Sequence, residues 1–135
     1  MPTGRDILLK RLGDAVERLQ PRLLILDPLI RLHRLDENDA GQIAVLLSFL
    51  RQLQRNFQVA VLVVHHARKG ARGRPGQGLR GSSELHGWGD SNLYLRRSST
   101  HLLLSADPRA APCQDNIPIE LCANGPALAL AVKTG

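Results

Sequence analysis

The sequence predicts an α/β protein with a mainly parallel sheet flanked by helices and with antiparallel strands toward the C-terminus. Two short apolar runs, at residues 23–26 and 59–64, have the composition of buried parallel strands. A segment with helical apolar periodicity precedes each run. Several short strand-like runs separated by turn residues follow them. Helices that alternate with buried strands predict a βαβ unit.

The first helix is predicted over residues 4–19. Thr3 and Asp6 fit an N-cap and a first-turn acid. Apolar residues then recur at spacings of three and four, and Pro21 is predicted to stop the helix. The next run, Leu-Leu-Ile-Leu, is followed by Asp27 and Pro28. A fully buried parallel strand with a carboxylate at its C-terminal tip is therefore expected here.

A second helix is predicted with Asp36 and Asp39 at its N-terminal cap. Its core stripe consists of Ile43, Leu46, Leu47, Leu50 and Leu53. Val45 and Phe49 add a second apolar flank, as expected for a helix that packs on a sheet. The strand after this helix is β-branched, apolar and predicted to be buried, and it ends in His65 and His66.

A glycine-rich basic loop is predicted from residue 67 to residue 81, and it contains no acidic residue. Its basic residues are Arg68, Lys69, Arg72, Arg74 and Arg80. These side chains suit the phosphate backbone of a nucleic acid, and since no aromatic residue is present to stack on bases, binding would be electrostatic. The alternative is a solvated loop with incidental charge. A short helix is predicted from Ser82 to about His86.

The C-terminal part predicts an antiparallel meander at the edge of the sheet. Its strands are expected at residues 92–95, 101–104, 117–121 and 127–132. Asn124 and Gly125 are predicted to form a hairpin turn. The length of 135 residues predicts a single domain. Its parts are the helix–strand–helix–strand unit at 1–66, the basic loop at 67–81, and the short helix with edge strands at 82–135.

Composition limits the class of protein. No apolar run approaches the roughly 20 residues that span a bilayer, and the start has no signal-peptide stretch, so a cytoplasmic protein without a membrane partner is predicted. Cys113 and Cys122 are interpreted as unpaired thiols. The net charge of +6, from fifteen Arg and three Lys, favours polyanionic partners, although genomic base composition can also enrich arginine.

Asp27, His65 and His66 are the first candidates for chemistry. Ligands of open α/β sheets bind at the C-terminal tips of strands, where Asp27 is expected. Four apolar residues followed by Asp is also the Walker B arrangement, which holds Mg²⁺ on a nucleotide. The alternative is that Asp27 caps the next segment. The two histidines are either surface residues, a sensor at the neighbouring strand tip, or metal ligands together with Asp27, although no third ligand is evident.

Four motifs follow one another in an order that a generic α/β sheet has no reason to carry. They are LILDPL at 24–29, DEND at 36–39, VVHHARKG at 63–70 and LRGSS at 79–83. With them, the segment from Leu24 to Leu95 resembles the RepA-type hexameric replicative helicases of the RecA/DnaB-like superfamily of P-loop ATPases. The resemblance covers a little over half of the chain, and its most specific element is the HHxxKG strand end followed by RGSS.

The resemblance implies a RecA-like fold and a role for each matching residue. Asp27 would be the Walker B carboxylate at the Mg²⁺ site, and His66, with His65 as the alternative, would sense the γ-phosphate. Arg80 resembles the arginine finger that reaches into a neighbouring subunit's site. The loop that grips single-stranded DNA in the central channel would carry Arg68, Lys69, Arg72 and Arg74.

A phosphate-binding loop, Gly-x-x-x-x-Gly-Lys-Ser/Thr, does not occur in the sequence. The resemblance then implies a RecA-like domain truncated on its N-terminal side, without the strand that carries the catalytic glutamate. The intact family uses ATP and Mg²⁺, but this chain alone is expected to bind neither and to hydrolyse no ATP. An exposed edge of the parallel sheet is expected to drive self-association.

Three functions are therefore open. The first is a fragment of an ATP-dependent DNA helicase associated with replication or with a mobile element. The second is a non-catalytic module that binds nucleic acid or regulates a ring. The third is a small metal-dependent hydrolase that uses Asp27, His65 and His66.

Overall fold

A computed structural model describes residues 1, 3–29, 40–66, 83–99 and 101–134. Within these ranges, two helices alternate with two strands, a third helix follows, and four more strands complete the order. The chain divides into two compact units, Met1–Trp88 and Gly89–Gly135. None of the described helices has the length and apolar composition that crossing a membrane requires.

Helix α1 spans Gly4–Leu19 and begins with a capping box. The Asp6 backbone N–H donates to the Thr3 hydroxyl at 3.3 Å, and the Thr3 N–H donates to the Asp6 carboxylate at 2.9 Å. The predicted N-cap is confirmed. The helix ends at Gln20, which adopts a left-handed conformation with φ 46° and donates its N–H to the Val16 carbonyl. A left-handed C-cap therefore ends the helix one residue before Pro21.

Strands β1 (Leu23–Leu26) and β2 (Ala60–Val63) form a two-stranded parallel sheet, which confirms the predicted βαβ pairing. Leu24 and Leu26 face the core, whereas Leu23 and Ile25 are each more than half exposed. The prediction of fully buried strands is therefore wrong. Successive side chains of a strand point to opposite faces, and the core of the unit covers one face only.

Helix α2 spans Ala40–Phe57 and supplies most of the core of the first unit. All five residues of its predicted stripe are buried: Ile43, Leu46, Leu47, Leu50 and Leu53. Of the predicted second flank, Phe49 packs against the core but Val45 is exposed. Val16 and Val59 complete the buried centre. The predicted caps at Asp36 and Asp39 lie outside the described residues.

Helix α3 spans Ser83–Trp88, close to the short helix predicted from Ser82 to His86. Leu85 and Trp88 pack against the core of the first unit, so this helix is held by one turn of apolar contacts. The predicted basic loop before it lies outside the described residues.

The second unit is the predicted antiparallel meander. Its strands pair in chain order as β3 (Ser91–Arg97), β4 (Leu102–Pro108), β5 (Gln114–Asn124) and β6 (Ala127–Val132). They form a sheet of their own and are not the edge of the parallel sheet. The fold is therefore α/β with a small parallel sheet and a four-stranded antiparallel sheet, where one mainly parallel sheet was predicted. Short turns between consecutive strands allow antiparallel pairing only, since parallel pairing needs a longer crossover.

The last hairpin confirms the predicted turn with a shift of one residue. Asn124 pairs with Ala127, so Gly125 and Pro126 form a two-residue loop. Gly125 has φ +60°, a conformation that suits the first central position of a type II′ turn and that glycine adopts without strain. Proline at the next position fits the fixed φ that its ring imposes.

Candidate functional site

The segments that follow the two parallel strands run side by side. Asp27 comes directly after β1, and His65 and His66 come shortly after β2. The Val64 N–H donates to the Leu26 carbonyl at 2.9 Å, and the Leu29 N–H donates to the Val64 carbonyl at 3.0 Å. These two bonds continue the pairing beyond the strands, and buried Leu29 fixes the chain on the far side of Asp27.

Asp27 and His66 meet at this edge of the parallel sheet. The distance from the His66 Nε2 to the Asp27 Oδ1 is 4.0 Å, and the two side chains are 75% and 62% exposed. The contact is an ion pair only while His66 is protonated. Water screens such an exposed pair, so it adds little to stability and leaves both groups open to a ligand. His65 is half-buried and forms no ion pair with Asp27 among the contacts of the described residues.

The residues at this edge fit Mg²⁺ better than zinc. Mg²⁺ binds one or two carboxylates and keeps its remaining positions for water and phosphate oxygens, which an exposed Asp27 permits. Imidazole is a poor ligand for Mg²⁺, so His66 would lie beside the ion. Zinc needs three or four protein ligands. No three His, Cys, Asp or Glu residues gather as a metal site in the part of the chain that the structure describes.

Binding of the phosphates of ATP would need groups besides Asp27. The 135 residues contain no Gly-x-x-x-x-Gly-Lys-Ser/Thr segment, whose backbone N–H groups and lysine would surround a triphosphate.

The remaining predicted site residues lie outside the described ranges. They are Arg68, Lys69, Arg72, Arg74 and Arg80. Their roles in DNA binding and as an arginine finger stay predictions.

A contact that the sequence analysis missed holds α3, the helix that follows these residues in the chain. The Trp88 Nε1–H donates to the Leu47 carbonyl at 3.0 Å. The Arg51 guanidinium lies 4.9 Å from the centre of the Trp88 ring and donates to the Trp88 carbonyl at 2.5 Å. The sequence signal that could have indicated this contact is the single tryptophan, Trp88. A packed indole N–H needs a hydrogen-bond acceptor.

Both cysteines are free, as predicted. The Cys113 thiol donates to the Asp107 carboxylate at 3.0 Å, and this hydrogen bond raises the pKa of Cys113, with further contributions from desolvation and from the charges of Asp107 and Asp115. A raised pKa lowers the thiolate fraction at neutral pH. Cys113 is therefore poorly suited to act as a nucleophile.

Comparison with known proteins gives one family match. Residues 6–72 match the family model of an AAA domain, a segment that contains most of α1, all of β1, α2 and β2, and both members of the Asp27–His66 contact. No curated protein and no solved structure matches the chain. The match supports, at a coarse level, an ATPase-like family of the AAA, P-loop type for this chain.

Proposed function

We propose that this chain is the metal-binding and sensor part of a RecA/RepA-like, ATP-dependent DNA helicase. One observation carries the proposal: Asp27 and His66 lie 4.0 Å apart at the C-terminal ends of two parallel strands, within the segment that matches an AAA domain. Ligands of open α/β sheets bind at such ends.

Asp27 would hold Mg²⁺ in this role, and the ion would neutralise negative charge on a transferred phosphoryl group. His66 faces Asp27 through Nε2. In the helicase family that the chain resembles, a polar residue at this strand end would sense the γ-phosphate, and we propose that role for His66. A change in negative charge beside Asp27 would change the electrostatic interaction of that edge with His66. Because Ala67 and the basic segment follow His66 directly in the chain, a rearrangement of His66 is passed to the residues proposed to bind DNA.

The absence of a phosphate-binding loop limits this role. We propose that the isolated chain neither binds ATP tightly nor hydrolyses it. The loop and its lysine would have to come from other residues than these 135, and Arg80 would serve a neighbouring subunit's site. Self-association through the edge of the parallel sheet is part of the same proposal.

Single-stranded DNA binding tests the proposal. Four basic residues of the segment, Arg68, Lys69, Arg72 and Arg74, predict that the logarithm of the affinity for a fluorescein-labelled oligothymidylate falls with the logarithm of salt concentration with a slope of about −3. Replacing Lys69 and Arg72 with Ala should weaken binding and reduce that slope by about 1.4. Fluorescence anisotropy at several salt concentrations measures both quantities.

Replacing Lys10 and Arg11 with Ala is the matched control, because it removes the same two charges from exposed positions of α1. The proposal requires this control to keep the slope of the original chain. Equal losses in the two double variants would show that only net charge matters. Another result would instead favour the non-catalytic nucleic-acid-binding module. In that result DNA binding depends on the basic segment, and Asp27→Asn does not change the effect of Mg²⁺ on DNA affinity.

A further inference from the structure

One face of the antiparallel sheet is apolar on all four strands. Residues directly opposite each other in an antiparallel pair share a face. Leu95 is opposite Leu104, and Leu104 is opposite Ile117. Along β5 the same face continues at Ile119 and Leu121, which lie opposite Val132 and Leu130 of β6. We call this surface the leucine face.

Most of the leucine face is open to solvent. Six of its side chains are between 58% and 70% exposed: Leu93, Leu95, Leu121, Leu128, Leu130 and Val132. None of them belongs to the hydrophobic core around α2. Full burial of a leucine side chain contributes up to about 3 kcal/mol, which at about 25 cal/mol per Å² corresponds to about 120 Å² of apolar surface. With the exposed fractions above, these six side chains together expose about 450 Å². A contiguous apolar patch of several hundred Å² marks an interaction site.

The opposite face of the same sheet is more polar. It carries Asn92, Tyr94 and Arg96 on β3 and Glu120 on β5. On the leucine face, the polar side chains of the strands are confined to strand ends, at Ser91, Arg97 and Gln114. Alternation of this kind is typical of an antiparallel sheet with one solvated face and one covered face.

We infer that the leucine face is covered by the leucine face of a second copy of this chain. Two such faces would bury about 900 Å² from the six exposed side chains of each copy, and the half-buried Leu102, Leu104 and Ile117 bring the total to about the 1,000 Å² that a stable interface needs. Uniformly apolar surfaces with few central polar groups are typical of permanent self-interfaces, whereas transient partners leave more polar contacts. The inference does not depend on the proposed function.

Packing of two sheets explains how the copies fit. Leucine and valine side chains of two inner faces interdigitate with the sheets about 10 Å apart. Because Arg97 lies at the end of β3, its guanidinium can reach solvent at the margin of the interface, and no unpaired charge is buried.

The test is the mass of the full chain in solution, measured by sedimentation over a range of concentrations up to about 100 µM, where an interface of this size is expected to be populated. We expect a dimer of the 14.8 kDa chain. Leu130→Glu places a charge on the leucine face at the edge strand β6 and should weaken the dimer by at least about tenfold. A monomeric original chain at the highest concentration would overturn the inference, and so would a dimer that Leu130→Glu leaves unchanged, because its interface would lie elsewhere.

Ala129→Glu is the matched control, since it adds the same charge to the neighbouring residue of β6 on the opposite face. It should leave the dimer intact. If both variants dissociate the dimer equally, the copies pair along the edge of β6 and the leucine face is not the interface.

Circular dichroism checks that the sheet persists in each variant. If Leu130→Glu fails to fold, Leu93→Thr provides a milder change on the same face. Its dimer should be weakened about threefold or more, because threonine, whose β-branched side chain suits a strand, removes apolar surface and adds a hydroxyl. An unchanged dimer would overturn the inference.

Discussion

The two units of this chain use similar apolar residues in different ways. Among the described residues of Met1–Trp88, nine hydrophobic residues are buried around α2 and one face of the parallel sheet. Among the described residues of Gly89–Gly135, Ile119 is the one buried hydrophobic residue. The first unit has two layers, helices on a sheet, whereas the described part of the second unit is a single sheet. An apolar face is buried only when a second layer covers it.

An apolar pattern determines which side chains share a face, but it does not determine whether that face is buried. The first unit is stabilised by the transfer of side chains from water into a core. The second is held by its ladder of hydrogen bonds and by cross-strand side-chain pairs, with the leucine face left for a partner. Substitutions in the two units should therefore have different costs.

The largest difference is expected between Leu50→Ala and Leu128→Ala. Leu50 is 0% exposed, so its truncation should lower the free energy of unfolding by about 2–5 kcal/mol. Leu128 is 70% exposed, and its truncation should cost less than about 0.5 kcal/mol in dilute protein. Urea unfolding of each variant measures both values.

Val45→Ala is the control for the first of these variants, because Val45 lies on α2 as well but on its exposed side. It should resemble Leu128→Ala. A cost at Leu128 as large as that at Leu50 would mean that the leucine face is covered even in dilute protein, and the contrast between the units would then fail.

A smaller effect is expected at the Trp88 contact, which fastens α3 within the first unit. Trp88→Phe keeps an aromatic ring but removes the N–H that donates to the Leu47 carbonyl, so it should cost about 1 kcal/mol. A double-mutant cycle with Arg51→Ala and Trp88→Ala should give a coupling energy of about 0.5–1 kcal/mol, because the guanidinium lies over the ring. The helical signal in circular dichroism reports unfolding, and additive losses would contradict the contact.

The smallest effect is expected at Cys113 in the second unit. The hydrogen bond to Asp107 raises the pKa of Cys113. The small contribution of this hydrogen bond to stability is therefore present while the thiol is protonated, and it is lost as pH rises through the folded-state pKa. Asp107→Asn, in a Cys122→Ser background, should lower that pKa and speed alkylation of Cys113 near pH 8 by about 2- to 5-fold.

Asp115→Asn is the control for this variant, since Asp115 contributes to the same pKa through its charge but not through a hydrogen bond. It should speed alkylation less than Asp107→Asn. The same rate in both variants would mean that the hydrogen bond between Cys113 and Asp107 does not persist in solution.

Local features of the sequence were sufficient for several elements. The Thr3 N-cap, the first-turn acid Asp6 and the apolar spacing predicted α1 to its last residue, and the stripe of α2 was predicted completely. Both signals act within one or two turns of helix, so no distant contact is needed to form them. The apolar runs likewise predicted that Asp27 and His66 follow the C-terminal ends of two strands. The contact of Trp88 with α2 joins residues 41 apart, and spacing alone could not indicate it.

The sequence by itself determined the order of the described elements, the antiparallel meander and the positions of an acid and a histidine at the ends of parallel strands. These depend on side-chain periodicity and turn residues, which are local properties. Only the tertiary structure decided that β1 is exposed on one face, that the strands divide into two sheets, and that Asp27 and His66 lie 4.0 Å apart. Burial and proximity depend on which layer covers which face, and that is settled by packing between distant segments of the chain.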